Sequence, residues 1–265
     1  MIKTKRILFG LIAVSVMLCL LTACGSGQSS NGTTNGTNSV PNYYESQTDD
    51  YDFQESDVDP VQALLSESLM YPSQNSEWKY DVYKTYVKIT GYLGEQEQDI
   101  IVPETIENLP VKAFNANMGT VTSIKFPSTL VILGDRDGSP LFFDINNVFK
   151  SVTLPEGLIE IGESVFESCD GLTEIKFPST LKKIGPSAFE NCFGLQSLTI
   201  PVSVEKIGPG AFFCNGERAL NDVTILNPNA DIELSNIHCK IMYGHTGSTA
   251  AKFASKNGIP FKVIE

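Results

Sequence analysis

Histidine is nearly absent from this 265-residue chain: there are two, His238 and His245, and neither stands in a nucleophile pattern. A hydroxyl or thiol activated by imidazole is therefore not expected. Metal-ligand spacing is missing as well, because His238-Cys239 has no second cysteine or histidine pair at a matching interval. Asp135-Arg136-Asp137-Gly138 echoes part of a calcium loop but lacks the third acidic ligand and the distal glutamate, and reads as a polar turn. No Lys-Ser/Thr follows Gly208-Pro209-Gly210, so it is not a phosphate loop. Glu160, Glu163 and Glu167 have nothing to desolvate them or split their pKa values. We expect no catalytic residue, no metal and no cofactor, and an anchored hydrolase is the weakest functional class. Basic charge is scarce too. Nineteen Lys and Arg face 31 Asp and Glu, for a net charge of −12. That balance excludes nucleic acid and flat binding to anionic lipid, and leaves room for cationic partners or divalent ions.

What the chain does have is a repeated sentence. Residues 148–169 read VFKSVTLPEGLIEIGESVFESC, 170–192 read DGLTEIKFPSTLKKIGPSAFENC, and 193–215 read FGLQSLTIPVSVEKIGPGAFFCN. Pro155, Pro178 and Pro201 recur in step, as do Ile161-Gly162, Ile184-Gly185 and Ile207-Gly208, then Phe166, Phe189 and Phe212. A fixed period of this size predicts a solenoid in which each repeat buries its apolar face against its neighbours. Within one copy, Leu172, Ile175 and Phe177 mark a short strand, and the proline ends it by lacking an N–H. The Ile-Gly step needs a small residue where backbone bends closely or takes positive φ. Parallel strands stack ~4.8 Å apart, so like residues form columns.

The period continues outward in degraded form. Val121, Ile124, Phe126, Pro127 and Leu133-Gly134 repeat it upstream, with extra residues at Asp135–Pro140. Ile100, Val102, Pro103, Val111, Ala113 and Phe114 make a poorer first copy, and Val223, Ile225 and Asn227-Pro228 a last one. End rungs are expected to be atypical because they face water on one side.

The motif L-x-x-I-x-F/I-P-x-S/T-L/V-x-x-I-G-x-x-A-F-x-x-C resembles the treponemal-type leucine-rich repeat of BspA-like bacterial surface proteins, over roughly residues 80–265. The resemblance implies a β-rich solenoid, a right-handed leucine-rich-repeat superhelix with repeats of about 23 residues. The repeats are placed at 99–230. An N-terminal hairpin cap over 61–98 is drawn from the alternation at Trp78, Tyr80, Val82, Val87 and Ile89. A C-terminal helix-strand cap over 231–265 is read from Ser248 or Thr249 as N-cap, Ala250, Phe253 and Ala254 on one face, and Gly258 beyond its end. Asp59-Pro60 ahead of Val61, Leu64, Leu65 and Leu69 predicts a short docking helix.

The chain begins with an address. Lys3, Lys5 and Arg6 precede the apolar run Ile7–Leu21, too short for a comfortable membrane span. Leu21-Thr22-Ala23-Cys24 resembles the lipobox of bacterial lipoproteins, which implies a signal over 1–23, lipid on Cys24, and the extracytoplasmic face of the cell membrane. The plainer reading is a secretory signal with an incidental cysteine. A tether over 24–60 follows, polar from Gly25 to Asn42 and acidic from Asp49 to Asp59. Such composition buries too little surface to order itself, and its mean reach is about 35 Å.

Cys169 and Cys192 occupy one slot in adjacent copies, within disulfide range. The slot equally suits a small buried hydrophobe needing no partner, and stacked free thiols are the preferred expectation. The outward strand positions form the candidate ligand-binding strip: Ser123, Lys125, Ser151, Thr153, Glu174, Lys176, Ser197, Thr199, Asp222 and Thr224. The strip reads either as a merely solvated sheet or as a shallow face for extracellular protein or glycan, without Tyr or Trp anchors. Adhesion is what the family resemblance implies; a structural module holding an envelope partner near the membrane is the alternative.

Overall fold

Each repeat contributes to three stacked faces rather than to a single strand ladder. The computed structural model describes residues 59–94, 99–119, 121–135, 138, 140–142, 149–215, 220–232 and 236–264. In chain order the elements are α1 (Pro60–Leu65), β1 (Tyr71–Gln74), β2 (Trp78–Val82), β3 (Val87–Tyr92), β4 (Asp99–Ile101), β5 (Thr105–Ile106) and β6 (Leu109–Phe114). Then come β7 (Ser123–Lys125), β8 (Ile132–Leu133), β9 (Ser151–Thr153), β10 (Glu160–Ile161), β11 (Glu174–Lys176) and β12 (Lys183–Ile184). The chain closes with β13 (Ser197–Ile200), β14 (Lys206–Ile207), β15 (Leu220–Ile225), β16 (Cys239–Gly244), α2 (Thr249–Asn257) and β17 (Phe261–Val263). Together they make a β-solenoid of about seven turns with a terminal helix and strand.

The first face carries the strand half of the motif. β4, β7, β9 and β11 pair in parallel, and β13, β15, β16 and β17 form a second parallel set. The period is visible in the register, with Ser151 opposite Glu174 and Val152 opposite Ile175. After each strand the proline turns the chain in the same way: Leu130, Leu158, Leu181 and Val204 N–H groups donate to the carbonyls of Pro127, Pro155, Pro178 and Pro201 at 3.1–3.2 Å.

The second face departs from the sequence-based expectation. Ile161, Ile184 and Ile207 do not bend the chain but pair in parallel in β10, β12 and β14, continuing β6 and β8. The glycines that follow are required by close backbone approach. A Cβ on Gly185 would lie 2.6 Å from the carbonyl carbon and oxygen of Gly162, and one on Gly208 2.5 Å from Pro186 N. The step therefore keeps adjacent rungs in contact.

The third face has no strands, yet its backbone is bonded from rung to rung. Phe166 N–H donates to Ala188 O at 2.8 Å and Phe189 N–H to Ala211 O at 2.8 Å. To aim those groups, Ser164, Ser168, Ser187 and Asn191 take φ between 49° and 58°. Left-handed backbone is costly for residues with a Cβ, so the inter-rung bonds hold them there. Inside this face the phenylalanines stack. Phe142, Phe166, Phe189 and Phe212 follow one another at ring-centroid spacings of 5.2, 5.1 and 5.4 Å with planes within 15°. Phe142 joins the column because most of the extra residues fall between Gly134 and Leu141, leaving the next rung in step.

Both ends carry a cap, the N-terminal one on the second face alone. The antiparallel strands β1, β2 and β3 extend the second face, with β3 parallel to β6, so the hairpin caps the Ile-Gly ladder and gains an extra strand. Asp135, at the start of the extra residues, accepts from Lys88 Nζ at 2.5 Å and from Asn115 Nδ2 at 2.6 Å. It ties the cap to the array. Asp59 caps α1 by accepting from Val61 N–H, and Val61 and Leu64 pack against Tyr86, Ala113 and Ile132. Burial pushes the Tyr86 phenol well up while its hydroxyl donates to Leu64 O at 3.0 Å. At the far end Ser248 accepts from Ala251 N–H, Ala250, Phe253 and Ala254 face inward, and Gly258 closes α2 at φ 67°.

Two substitutions two residues apart in one rung should move stability in opposite directions. Gly185→Ala forces backbone against backbone and should cost about 1–3 kcal/mol in urea unfolding. Ser187→Gly relaxes a left-handed residue and should leave stability equal or higher, by up to about 1 kcal/mol. Equal losses from both would contradict the stacking geometry.

Candidate functional site

The outward side chains of the first face form two columns, because successive residues of a strand point to opposite sides of the sheet. One column runs through Asp99, Ser123, Ser151 and Glu174, the other through Ile101, Lys125, Thr153 and Lys176. In the second set, Ser197 stands opposite Asp222, and Thr199 opposite Thr224. Ser123, Lys125, Ser151, Thr153, Glu174, Lys176, Ser197 and Thr199 are all exposed, while Asp222 and Thr224 are half-buried. All ten positions named from the sequence thus stand on this face.

The strip is not continuous, however. Among the described residues β11 and β13 do not pair, so the ten positions fall on two four-stranded sheets. Ile175 is only half-buried at the break, whereas Ile124, Val152 and Leu198 are buried. Two residues sequence reasoning missed extend the lower sheet. Tyr243 aligns with Thr224, and Lys262 aligns with Tyr243 and lies 5.8 Å from its ring centroid. An aromatic anchor therefore stands on the strip after all. The signal is present in the strand pattern of Ile241-Met242-Tyr243-Gly244, which lies within the closing cap at 231–265.

Polar groups on the strip partly satisfy one another along the columns. Ser123 Oγ donates to Asp99 Oδ1 at 2.6 Å and Ser197 Oγ to Asp222 Oδ2 at 2.8 Å. Lys176 and Glu174 approach to 3.4 Å, but with side chains 87% and 65% exposed the pair contributes little. Beside the strip, the turns carry a second rung-to-rung contact. Glu104 accepts from Ser128 N–H and Oγ at 3.0 Å, and Glu156 from Ser179 N–H and Oγ at 3.0 and 2.9 Å. The Ser128 N–H bond holds the Glu104 carboxyl below its usual range.

The remaining candidate groups are structural. Cys169, Cys192, Cys214 and Cys239 are in no disulfide and are buried. Cys169 and Cys192 donate from Sγ to Phe142 O at 3.2 Å and Phe166 O at 3.0 Å. Burial pushes the Cys192 thiol well up and that of Cys239 up to about 11, so neither is a thiolate nucleophile at neutral pH. His238 is exposed on β16's approach while Cys239 faces inward, which separates the one His-Cys dipeptide; the imidazole packs on Phe213 at 4.9 Å. Glu160 pairs with Lys183 at 2.9 Å on the second face.

A parallel-stranded solenoid with in-register columns and one outward strand face is the architecture of a leucine-rich-repeat protein. Residues 138–242 match the BspA type leucine rich repeat region, in six copies. That stretch of the chain is a BspA-type leucine-rich-repeat region. The chain is similar to a leucine-rich repeat protein of T. pallidum, which is 23% identical, with 72% of this chain and 98% of that one covered and a TM-score of 0.48. A leucine-rich cell surface protein from Faecalibacterium prausnitzii is 19% identical over 68% of this chain and 52% of its own length, TM-score 0.47. The pneumococcal vaccine antigen PcpA is 18% identical over 68% and 66%, TM-score 0.43. No curated protein matches the chain in sequence.

The Glu104 contact has a pH signature. Its folded pKa is depressed, so the stability it contributes is present above the unfolded value near 4.5 and is lost as pH falls through the folded value. Because the carboxylate is exposed, the effect is small. Glu104→Gln should lower thermal stability slightly at pH 7, where the carboxylate's contribution is present, and converge with the parent below pH 4.5, so that its acid limb is flatter. A Glu104→Gln curve parallel to the parent's through that window would contradict the assignment.

Proposed function

We propose that the chain is a surface-exposed binding protein, anchored to the bacterial membrane by lipid on Cys24, whose outward strand face engages an extracellular protein or glycan. The observation that carries the reading is the strip itself: columns of mostly exposed hydroxyl and charged side chains on the two sheets of the strand face. Ser123, Lys125, Ser151, Thr153, Glu174, Lys176, Ser197, Thr199, Asp222 and Thr224 would make the contacts, with Tyr243 adding an aromatic surface. Hydroxyls and paired charges at one strand spacing suit a polar, repetitive ligand, and modest affinity per molecule is offset by display of many copies on one membrane. The function is binding and not turnover, since the buried thiols and the ion-paired Glu160 offer no activated group.

Cys24 and the segments around it lie outside the described residues. The reading places a signal at 1–23, a tether at 24–60, caps at 61–98 and 231–265, and the repeats at 99–230. Lipid attachment is supported by the lipobox-like Leu21-Thr22-Ala23-Cys24 and the polar run behind it. No helix among the described residues is long and apolar enough to cross a membrane.

The soluble fragment 60–265 should bind an immobilised glycan or matrix protein saturably, and Glu174→Ala with Lys176→Ala should weaken that binding about tenfold without lowering Tm. Radiolabelled palmitate should enter the full chain in cells and be lost in Cys24→Ala. Capture of one endogenous envelope protein, with no external ligand bound, would replace this reading with the assembly role.

A further inference from the structure

The cap end of the first face carries a feature the strip does not explain. Two clefts, of about 450 and 460 Å³, lie beside β4 and share Glu77, Trp78 and Ile101. β4 is the end strand of its sheet and among the described residues pairs only with β7. Val102 N–H donates to Lys125 O at 2.9 Å. Backbone groups of successive strand residues point to alternate sides, so the N–H and C=O of Ile101 face away from β7. They face the side on which the clefts lie.

Ile101 is also out of character for its column. It aligns with Lys125, ahead of Thr153 and Lys176, yet its side chain is apolar and 71% exposed. Natural sheet edges are normally guarded by lysine, proline or a bulge. Several other edges here follow that practice, with Pro72 in β1, Lys176 in β11, Lys206 in β14 and Lys262 in β17. β4 instead presents Asp99, Ile100 and Ile101. Six of the eight exposed large apolar side chains lie between Leu65 and Ile101, so the cap end is the apolar end of the described surface.

Charge selects the occupant. Glu77 and Glu107 line one cleft, Glu77 and Asp99 the other, and no lysine or arginine lines either among the described residues. Glu107 is fixed over the cleft by the hydroxyls of Tyr71 and Tyr80, which donate at 2.8 and 2.9 Å. The chain's own acidic segment Asp49–Asp59 would be repelled from such a site. We infer that the β4 edge and its clefts form a second binding site, which takes an extended segment of a partner protein carrying Lys or Arg at alternate positions, added as a strand to β4. Backbone bonds to Ile101 give the affinity, and the carboxylates select basic side chains. This site is separate from the strip and does not depend on the reading of it.

Trp78 is the one tryptophan of the chain and walls both clefts, so its fluorescence reports occupancy. The probe is a synthetic heptapeptide, Lys-Val-Lys-Val-Lys-Val-Lys, titrated into the full chain in detergent. Saturable binding with a change in Trp78 emission is expected. Ile101→Pro removes the cleft-facing N–H while leaving Val102 to bond β7, and should weaken binding about tenfold. Glu77→Gln should weaken it as well. Glu174→Ala and Lys176→Ala should leave it unchanged. An N-methylated peptide of the same charge, and the peptide with Glu for Lys, should not bind. Absence of binding overturns the proposal, as do equal binding of the N-methylated peptide and silent Trp78 emission. Self-association of the chain that Ile101→Pro abolishes would overturn it too, assigning the edge to a second copy.

Discussion

Everything in this molecule depends on one constraint: each rung must lie directly on the next at one strand spacing, on three faces at once. A parallel ladder on one face fixes the height of a rung but not its tilt. The second ladder through Ile161, Ile184 and Ile207, and the third through the amides of Phe166 and Phe189, remove that freedom. The side chains follow from the backbone. Glycine stands where carbonyl carbon and would-be Cβ come within 2.6 Å, and Phe rings stack because their α-carbons repeat at the rung height. Buried apolar columns then supply the stabilisation that offsets four left-handed non-glycine residues on the third face.

The same constraint shapes function. A stacked array cannot close a deep pocket inside itself, since its interior is filled by columns of Leu, Ile and Phe. Chemistry is displayed instead as stripes, one residue per rung. Where rungs stay in step the stripe is regular, as at Thr153 and Lys176; where pairing lapses, between β11 and β13, it divides. Two clefts lie where the array meets its cap, at Trp78 and Ile101, because there a strand meets a differently built neighbour.

Much of this was legible in the sequence, for a physical reason. Pro155, Ile161-Gly162 and Phe166 recur because a stacked backbone imposes the same environment on each copy, and residue identity records it. The helix α2 announced itself through Ser248, Ala250 and Gly258, which are local signals. Two-residue strands such as Lys183–Ile184 leave no alternation to read, so the second ladder looks like a bend in sequence. Ser187 and Asn191 gave no warning of left-handed backbone, since only bonds from the next rung hold them there. The Lys88–Asp135 clip joins residues 47 apart that no periodicity relates. Tyr243 is hidden from a reading of repeats because the cap continues the strand face, so its side chain stands on the same outward strip.

Native-state hydrogen exchange of the full chain tests the stacking most directly. If three bonded faces hold the rungs, the amides of Phe166 and Phe189 on the strandless face should be as protected as those of Ile161 and Ile184, opening only with global unfolding. Protection confined to the strand ladders, with Phe166 and Phe189 exchanging as fast as a surface turn, would contradict it.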